Sequence, residues 1–424
     1  MNGSAAPLPV AGEAGGRLPS PALAAGFLTL AVAIGIGRFV YTPILPAMAD
    51  GLGLTRAQTG LIGSANFAGY LAGALAAAHP LLLRGRRLWL GGALATCVAT
   101  LMAMGGCATL AAFVTLRFVG GAASALGFVL ATTLVMDRLT RTGRSDGAAL
   151  HYAGVGSGIA LSAAVVSVAR EAGCDWRALW VISGVLALGL AGPILWLIPG
   201  APPAASPAPA DAAAAPSITR LVVAYGLFGF GYVITATFVV AIVRTAPHLA
   251  AAEAYVWLCV GLAAAPSVAL WGRVERRLGF RTSFALACLV EASGVLVSVL
   301  TAQVPGLLYA ALALGGTFVA LTWLGIDGAR RLRAGNRQRI VAVMMAAFGT
   351  GQVIGPVAAG VLADLTGSFT VPSLAAAAAL LIAAALVLSL PGAVAADREP
   401  AALTPPRRRS PARSRDSRRG SGAS

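Results

Sequence analysis

The sequence predicts an all-α membrane protein of twelve transmembrane helices arranged as two related six-helix bundles. Three observations carry that expectation. The chain has 424 residues, of which 58% are hydrophobic and only 11% charged, and its mean hydropathy is +0.82. Soluble domains carry about 25% charged residues, so this is the composition of a bilayer-embedded chain. Twelve apolar runs are long enough to span, and residues of the first six recur in the second six at one offset close to 195.

A helix needs about 20 apolar residues to cross the ~30 Å hydrocarbon core. Such runs fall at 22–46, 57–80, 88–107, 110–136, 148–169 and 178–198, then at 218–243, 254–272, 282–302, 306–327, 340–363 and 372–391. Residues 1–20, rich in Pro, Gly and Ala, read as a disordered cytoplasmic N-terminus. The apolar run that follows is too long for a signal peptide and has no convincing cleavage site, so it reads as a retained span. Residues 21–198 form the expected N-terminal bundle. The stretch PGAPPAASPAPADAAAAPS, 199–217, reads as a cytoplasmic linker, because Pro/Ala-rich sequence builds no packed core. Residues 218–391 form the C-terminal bundle, and 392–424 a basic disordered tail. The tail's PPRRRSPARSRDSRRG, 405–420, suits a solvated segment near anionic lipid.

The internal repeat rests on several matches. GIGRF at 35–39 answers GFGYV at 229–233, and GVGSGI at 154–159 answers GTGQVI at 349–354. Gly120-Gly121 with Ala125-Leu126 answers Gly315-Gly316 with Ala320-Leu321, and Arg86 answers Arg281. Small residues recur in apolar helices by chance, but one shared offset does not. A parallel repeat of six plus six is a transporter architecture.

All 31 basic residues are arginine, and the formal charge is +16. That charge does not point to nucleic acid, which requires a basic face on a soluble fold. The arginines cluster instead between alternate apolar runs: Arg84, Arg86, Arg87; Arg138, Arg141, Arg144; Arg273, Arg276, Arg277, Arg281; and Arg330, Arg331, Arg333, Arg337, Arg339. By the positive-inside rule both termini lie in the cytoplasm of a bacterial inner membrane. Trp89, Trp176, Trp180, Trp196 and Trp271 fall near span ends, where indoles favour the interface. Neither the five cysteines nor the three histidines have metal-ligand spacing, and no nucleotide-binding signature is present. No metal, cofactor or enzymatic constellation is expected, and the chain is read as a monomer with a small-molecule substrate.

GRVERRLGFR at 272–281 resembles the signature loop of the major facilitator superfamily, Gly-x-x-x-Asp-Arg-x-Gly-Arg-Arg. Gly272, Arg277, Gly279 and Arg281 match, while Arg276 holds the Asp position. The first-half copy at 81–88 keeps Gly85, Arg86 and Arg87 but has Leu82 for the Asp. LRFVGGAASA at 116–125 resembles the fourth-helix signature through Arg117 and Gly121. The fifth-helix antiporter signature is half present: Gly154 and Gly158 fit, but Ile159 holds the Pro site. GQVIGPVAAG at 351–360 is a closer copy, with Gly351, Gly355 and Pro356. GxGRFxYTPxLP at 35–46, SANFAGYLAG at 64–73 and YGLFGFGYVITATF at 225–238 are similar to the YbfB/YjiJ-like branch. The resemblance implies the major facilitator fold, alternating access, gating roles for Arg86, Arg87, Arg277 and Arg281, and a coupling role for Arg117. It implies no particular substrate.

An arginine inside a span is costly, so function or a buried partner is its default reading. The first, fourth, seventh and tenth helices line the cavity in the resembled fold. Arg38, Tyr41, Arg117, Tyr225, Tyr232 and Trp323 are therefore expected to face it, with Asn66, Tyr70 and Gln352 as further polar contacts. Two arginines without an obvious carboxylate favour an anionic substrate. The other reading of Arg38 is a scaffold role, pairing with backbone carbonyls at a broken helix. Gly35 and Gly37 would let the first helix approach a neighbour closely, and Pro43 and Pro46 would let its outer end bend. Glu291, mid-span in the ninth run, is the candidate proton carrier of a proton-coupled transporter. A non-transporting sensor or assembly factor on the same fold is the alternative. Such a protein is expected to lose cavity polarity, which Arg38, Arg117, Tyr232 and Trp323 oppose.

The topology is directly testable. A reporter that fluoresces only in cytoplasm should be bright when fused after residue 424 or within 199–217. It should be dark near Asp50 or Cys174, and brightness at either of those would overturn the twelve-span map.

Overall fold

The computed structural model describes residues 20–77, 79, 85–142, 147–197, 218–244, 253–301, 303–332 and 337–390. The expected N-terminal segment 1–19, the linker and the tail lie outside the described residues, as do Leu82, Arg84, Arg144 and Arg333 and the side chains of Arg141, Arg337 and Arg339.

Every regular element among the described residues is helical. A first crossing is built in pieces: α1 Pro21–Leu30, a π-helical turn Ala31–Ile36, and α2 Tyr41–Leu52. It is followed by α3 Arg56–Ala76, α4 Arg86–Gly106, α5 Leu110–Thr142, α6 Gly147–Glu171 and α7 Trp176–Leu197. The chain then continues through α8 Thr219–Arg244, α9 Glu253–Leu300, α10 Val304–Leu332, α11 Arg337–Thr366 and α12 Thr370–Leu388. Among the described residues, ten helical segments are long and apolar enough to cross a membrane. The more polar α3 is not one of them, and α9 counts once although it bends at Gly279, where φ is 77°. A straight 48-residue helix would run about 72 Å, more than twice a ~30 Å core. Gly279 takes the left-handed conformation that only glycine adopts without cost.

Helix ends are satisfied locally and across the fold. Ser20 caps α1 ahead of Pro21, and Thr55 with Gln58 forms a capping box on α3. Two more orphan amides of α3 are taken by a distant residue. Asp364, near the end of α11, accepts from Arg56 N–H at 3.1 Å and Ala57 N–H at 2.8 Å.

Packing sorts the helices into two sets. In the first, α3 and α4 pack on α5, α4 on α7, and α1 on α5, α6 and α7; in the second, α8 packs on α11 and α12, and α9 on α10 and α12. The principal contacts between the sets are α3 with α11 and α6 with α9. Small residues let these backbones touch. A Cβ at Gly158 would collide with the Ala31 backbone, one at Gly35 would sit 2.6 Å from Gly158 Cα, and one at Gly60 would run into Pro356 O.

The break in the first crossing is the feature that positions the site. Gly37 N–H reaches back to Val32 O at 2.8 Å, a π-type bond, and Thr42 N–H turns to Phe39 O at 3.2 Å. The Arg38 carbonyl thereby loses its helical partner. Arg117 from α5 replaces it, donating from Nη2 to Arg38 O at 2.9 Å and from Nη1 to Gly37 O at 3.1 Å. Irregular backbone at membrane depth is tolerated only where protein re-satisfies it, each bare group costing several kcal/mol. The bend expected at Pro43 and Pro46 lies elsewhere: the chain unwinds before them, and α2 continues through Pro46. Pro43 falls in the first turn of α2, where an N–H has no helical acceptor to lose. Gly35 makes the expected close approach, whereas a Cβ at Gly37 would meet Ala33 O of its own segment at 2.6 Å.

Arg117 is thus a staple, and its loss should be felt in folding. Arg117→Gln leaves two buried carbonyls short of donors, at about 1–3 kcal/mol each. Folded, monodisperse yield by fluorescence-detected size exclusion should fall several-fold, while Arg38→Gln stays near wild type. Equal or reversed yields would contradict this division of labour.

Candidate functional site

Arg38 leaves the break with its side chain turned into the protein, only 6% exposed. Its guanidinium carbon lies 4.0 Å from the Tyr70 ring centroid and 4.8 Å from that of Phe67, both on α3, and 5.5 Å from Phe39. Cation–π contact of this kind is worth about 2 kcal/mol or more when desolvated. It covers the faces of the group but supplies no acceptor. Arg38 Nε and Nη2 are buried without a hydrogen-bond partner. These two nitrogens share one edge of the guanidinium plane, the edge that grips a carboxylate through two parallel bonds. No carboxylate among the described residues forms an ion pair with it.

Arg117 is buried too, at 4% exposure, but both terminal nitrogens are committed to the carbonyls of the break. Its guanidinium sits 5.0 Å from Tyr41 and 6.0 Å from Trp180. Around it, Asn66 donates to Arg117 O at 2.9 Å and Tyr41 OH donates to Thr59 O at 2.7 Å. The two guanidiniums differ in kind. One is bonded into the scaffold, and the other presents an unpaired edge.

The second set of helices contributes an aromatic stack. Tyr232 on α8 lies nearly parallel to Phe318 on α10 (5.7 Å, 8°) and to Phe348 on α11 (5.7 Å, 6°). Gln352 Nε2 hydrogen-bonds Tyr232 OH, leaving Gln352 Oε1 unpaired, as is Asn66 Oδ1 across the fold. Tyr225 stacks on Phe348 at 4.9 Å and spends its hydroxyl on Thr322 O at 2.9 Å. Phe39 joins the two sides, 5.6 Å from Phe318 and 6.2 Å from Trp257. Trp323 is not part of this cluster; it lies beside Gly272 at the signature loop. Glu291 is fully buried, accepts from Thr317 OH at 2.9 Å, and keeps Oε1 unpaired.

Phe39, Phe67, Trp257, Phe318 and Phe348 were not legible as site residues. Trp257, three residues into the run 254–272, carried one signal: an indole N–H needs a partner when buried. Here that N–H is buried and unpaired.

The signature loops are tied into ion pairs. Arg86 pairs with Asp137 at 3.2 Å and Arg331 with Glu275 at 2.6 Å and Asp327 at 2.5 Å. Glu275, one residue before the expected Asp position, thus supplies a carboxylate to the second loop. Arg87 donates to Leu195 O and Arg281 to Leu388 O, each at 2.5 Å, while Arg277 is exposed. Among the described residues no cluster of three metal-ligating side chains exists.

The fold is shared with solved transporters. A mutant of the nucleoside transporter NupG is similar with a TM-score of 0.68 at 14% identity, covering 86% of this chain and 99% of that one. The unmutated NupG gives 0.65 at 13% identity over 87% and 98%. A bacterial homologue of the human lysosomal transporter Spinster, in an inward-facing and unoccupied conformation, gives 0.62 at 17% identity over 88% and 95%. No curated protein sequence matches the chain. Residues 30–388 match the family described as uncharacterised MFS-type transporter YbfB; the chain belongs to that family, a multi-pass membrane transporter and not an enzyme.

Proposed function

We propose that this transporter moves a small anionic solute across the bacterial inner membrane by alternating access, with Arg38 as the anion anchor. The observation that carries the reading is the buried Nε/Nη2 edge of Arg38, unpaired between aromatic faces, while its neighbour Arg117 has both terminal nitrogens bonded to backbone and only Nε unpaired. A buried guanidinium without an acceptor forfeits a charge-assisted hydrogen bond worth about 1.5–3 kcal/mol. A bound carboxylate recovers it.

The twelve-span plan is part of this proposal. It treats α1 and α2 as one crossing, includes α3, and divides α9 at Gly279 into 253–278 and 280–300. On that count the two inter-set contacts are reciprocal: second helix with fifth in α3–α11, and fifth with second in α6–α9. Such reciprocity is what a two-fold relation between six-helix halves requires. The arginine clusters favour cytoplasmic termini, a cytoplasmic linker at 199–217 and a lipid-facing basic tail. The Asp364 contacts to the start of α3 then hold the extracytoplasmic side closed, together with Arg56 Nη1 on Ala363 O at 2.6 Å. Proton coupling is assigned to Glu291, a buried carboxyl with one oxygen held by Thr317 and, among the described residues, in no ion pair. Arg117 supports coupling by holding the broken segment that carries Arg38. The transporter functions as a monomer.

A thermal-shift titration of purified protein with organic anions and their neutral methyl esters tests the anchor. Carboxylates should raise Tm and the esters should not. Arg38→Lys keeps charge but loses the planar fork, so apparent affinity should fall about 10- to 100-fold. Arg38→Ala should abolish the shift at near-normal folded yield. Stabilisation by esters, or a shift retained in Arg38→Ala, would refute the reading.

A further inference from the structure

We propose that the anion is a planar aromatic carboxylate, its carboxylate on the Arg38 edge and its ring against the Phe39/Phe318/Tyr232 rings. This rests on the anion reading above and adds the chemical class of the rest of the molecule.

Three of the unpaired donors belong to side chains beside Phe39. Besides Arg38 Nε and Nη2, the Trp257 indole N–H is buried without a partner, and both side chains border Phe39. Several unpaired donors around one ring favour a compact, acceptor-only head group, which a carboxylate is. A hydroxyl-rich solute such as a sugar needs many convergent acceptors and donors instead. Beyond the head-group end the surfaces are aromatic. Phe39 meets Phe318 edge-on at 71°, and Phe318 continues into the parallel stack with Tyr232 and Phe348. Rings in offset or edge-to-face contact gain energy beyond area burial, so a flat ligand ring would be preferred over a saturated ring of the same size. The guanidinium is itself held by faces of Phe67 and Tyr70, which fixes its edge instead of letting it swing.

The placement also gives the ligand a mechanical role. Arg38, Phe67 and Tyr70 belong to the first set of helices, and Tyr232, Trp257, Phe318 and Phe348 to the second. A molecule spanning Arg38 and Phe318 touches both sets, so its binding energy depends on how the two are juxtaposed. A ligand shifts a conformational equilibrium only through such differential contact.

The test is equilibrium binding, by calorimetry at pH 7, of matched probes: benzoate, cyclohexanecarboxylate and benzamide, extended to phenylacetate and indole-3-acetate. Both benzoate and cyclohexanecarboxylate are ionised at that pH, so they differ in the flatness and π-character of the ring. At least one aromatic acid should bind, and benzoate should bind at least tenfold more tightly than cyclohexanecarboxylate. Phe318→Leu should bring that ratio toward one while carboxylate binding persists; Phe348→Leu serves if Phe318→Leu does not fold. Trp257→Phe should weaken both acids several-fold with the ratio unchanged. Equal binding of the two acids with none of benzamide would overturn the aromatic inference and leave the anion anchor standing. Benzamide binding as tightly as benzoate would overturn both. No binding of any aromatic acid to folded protein would overturn this proposal.

Discussion

A guanidinium cannot be buried in an apolar interior without something to receive its donors, and this protein solves that problem in two ways. Arg117 is received by backbone. Its terminal nitrogens serve the carbonyls that the π-helical turn has stripped of partners, so a costly side chain and a costly backbone break cancel one another. Without the arginine the break would expose bare carbonyls at membrane depth. Without the break the arginine would have no acceptor. Arg38 emerges from that same break, and its direction is fixed by it. Its faces are covered by Tyr70, Phe67 and Phe39, while Nε and Nη2 stay unpaired. The proposed function rests on that unpaired edge.

The remaining architecture keeps that edge between two helix sets. Glycines at 35, 154 and 158 bring α6 hard against the broken crossing, and Gly156 and Gly261 bring α6 hard against α9. The first helix is therefore wedged between its own set and the seam with the other. Asp364 ties α11 to the start of α3 across the other seam. A side chain that takes up helix N-terminal amides in this way contributes about 0.5–2 kcal/mol.

Much of the fold could be read in the sequence because span length and hydropathy are local properties. The apolar run beginning at residue 22, which forms the first crossing, needed no tertiary knowledge. The cost of Arg38 and Arg117 was equally legible, since a charge in an apolar run announces itself. Which arginine would be bonded was not. The two looked like a pair, and their separation into staple and anchor depends on a backbone break placed ahead of Pro43 and Pro46 instead of at them. That break is marked only by Gly35 and Gly37, residues common in any packed membrane helix. The Glu275–Arg331 pair was hidden by a one-residue displacement from the signature position. Trp257, Phe318 and Phe348 were hidden because an aromatic residue in an apolar run looks like core until its neighbours are known.

The division between anchor and staple can be observed at the nitrogen atoms themselves. In protein labelled with 15N at arginine Nε, the Arg38 and Arg117 resonances are assigned by their loss in Arg38→Lys and Arg117→Lys. Addition of a carboxylate ligand should shift the Arg38 Nε–H strongly downfield, as a new charge-assisted bond forms, and leave the Arg117 Nε–H in place. A shift at Arg117 with none at Arg38 would contradict the assignment of roles.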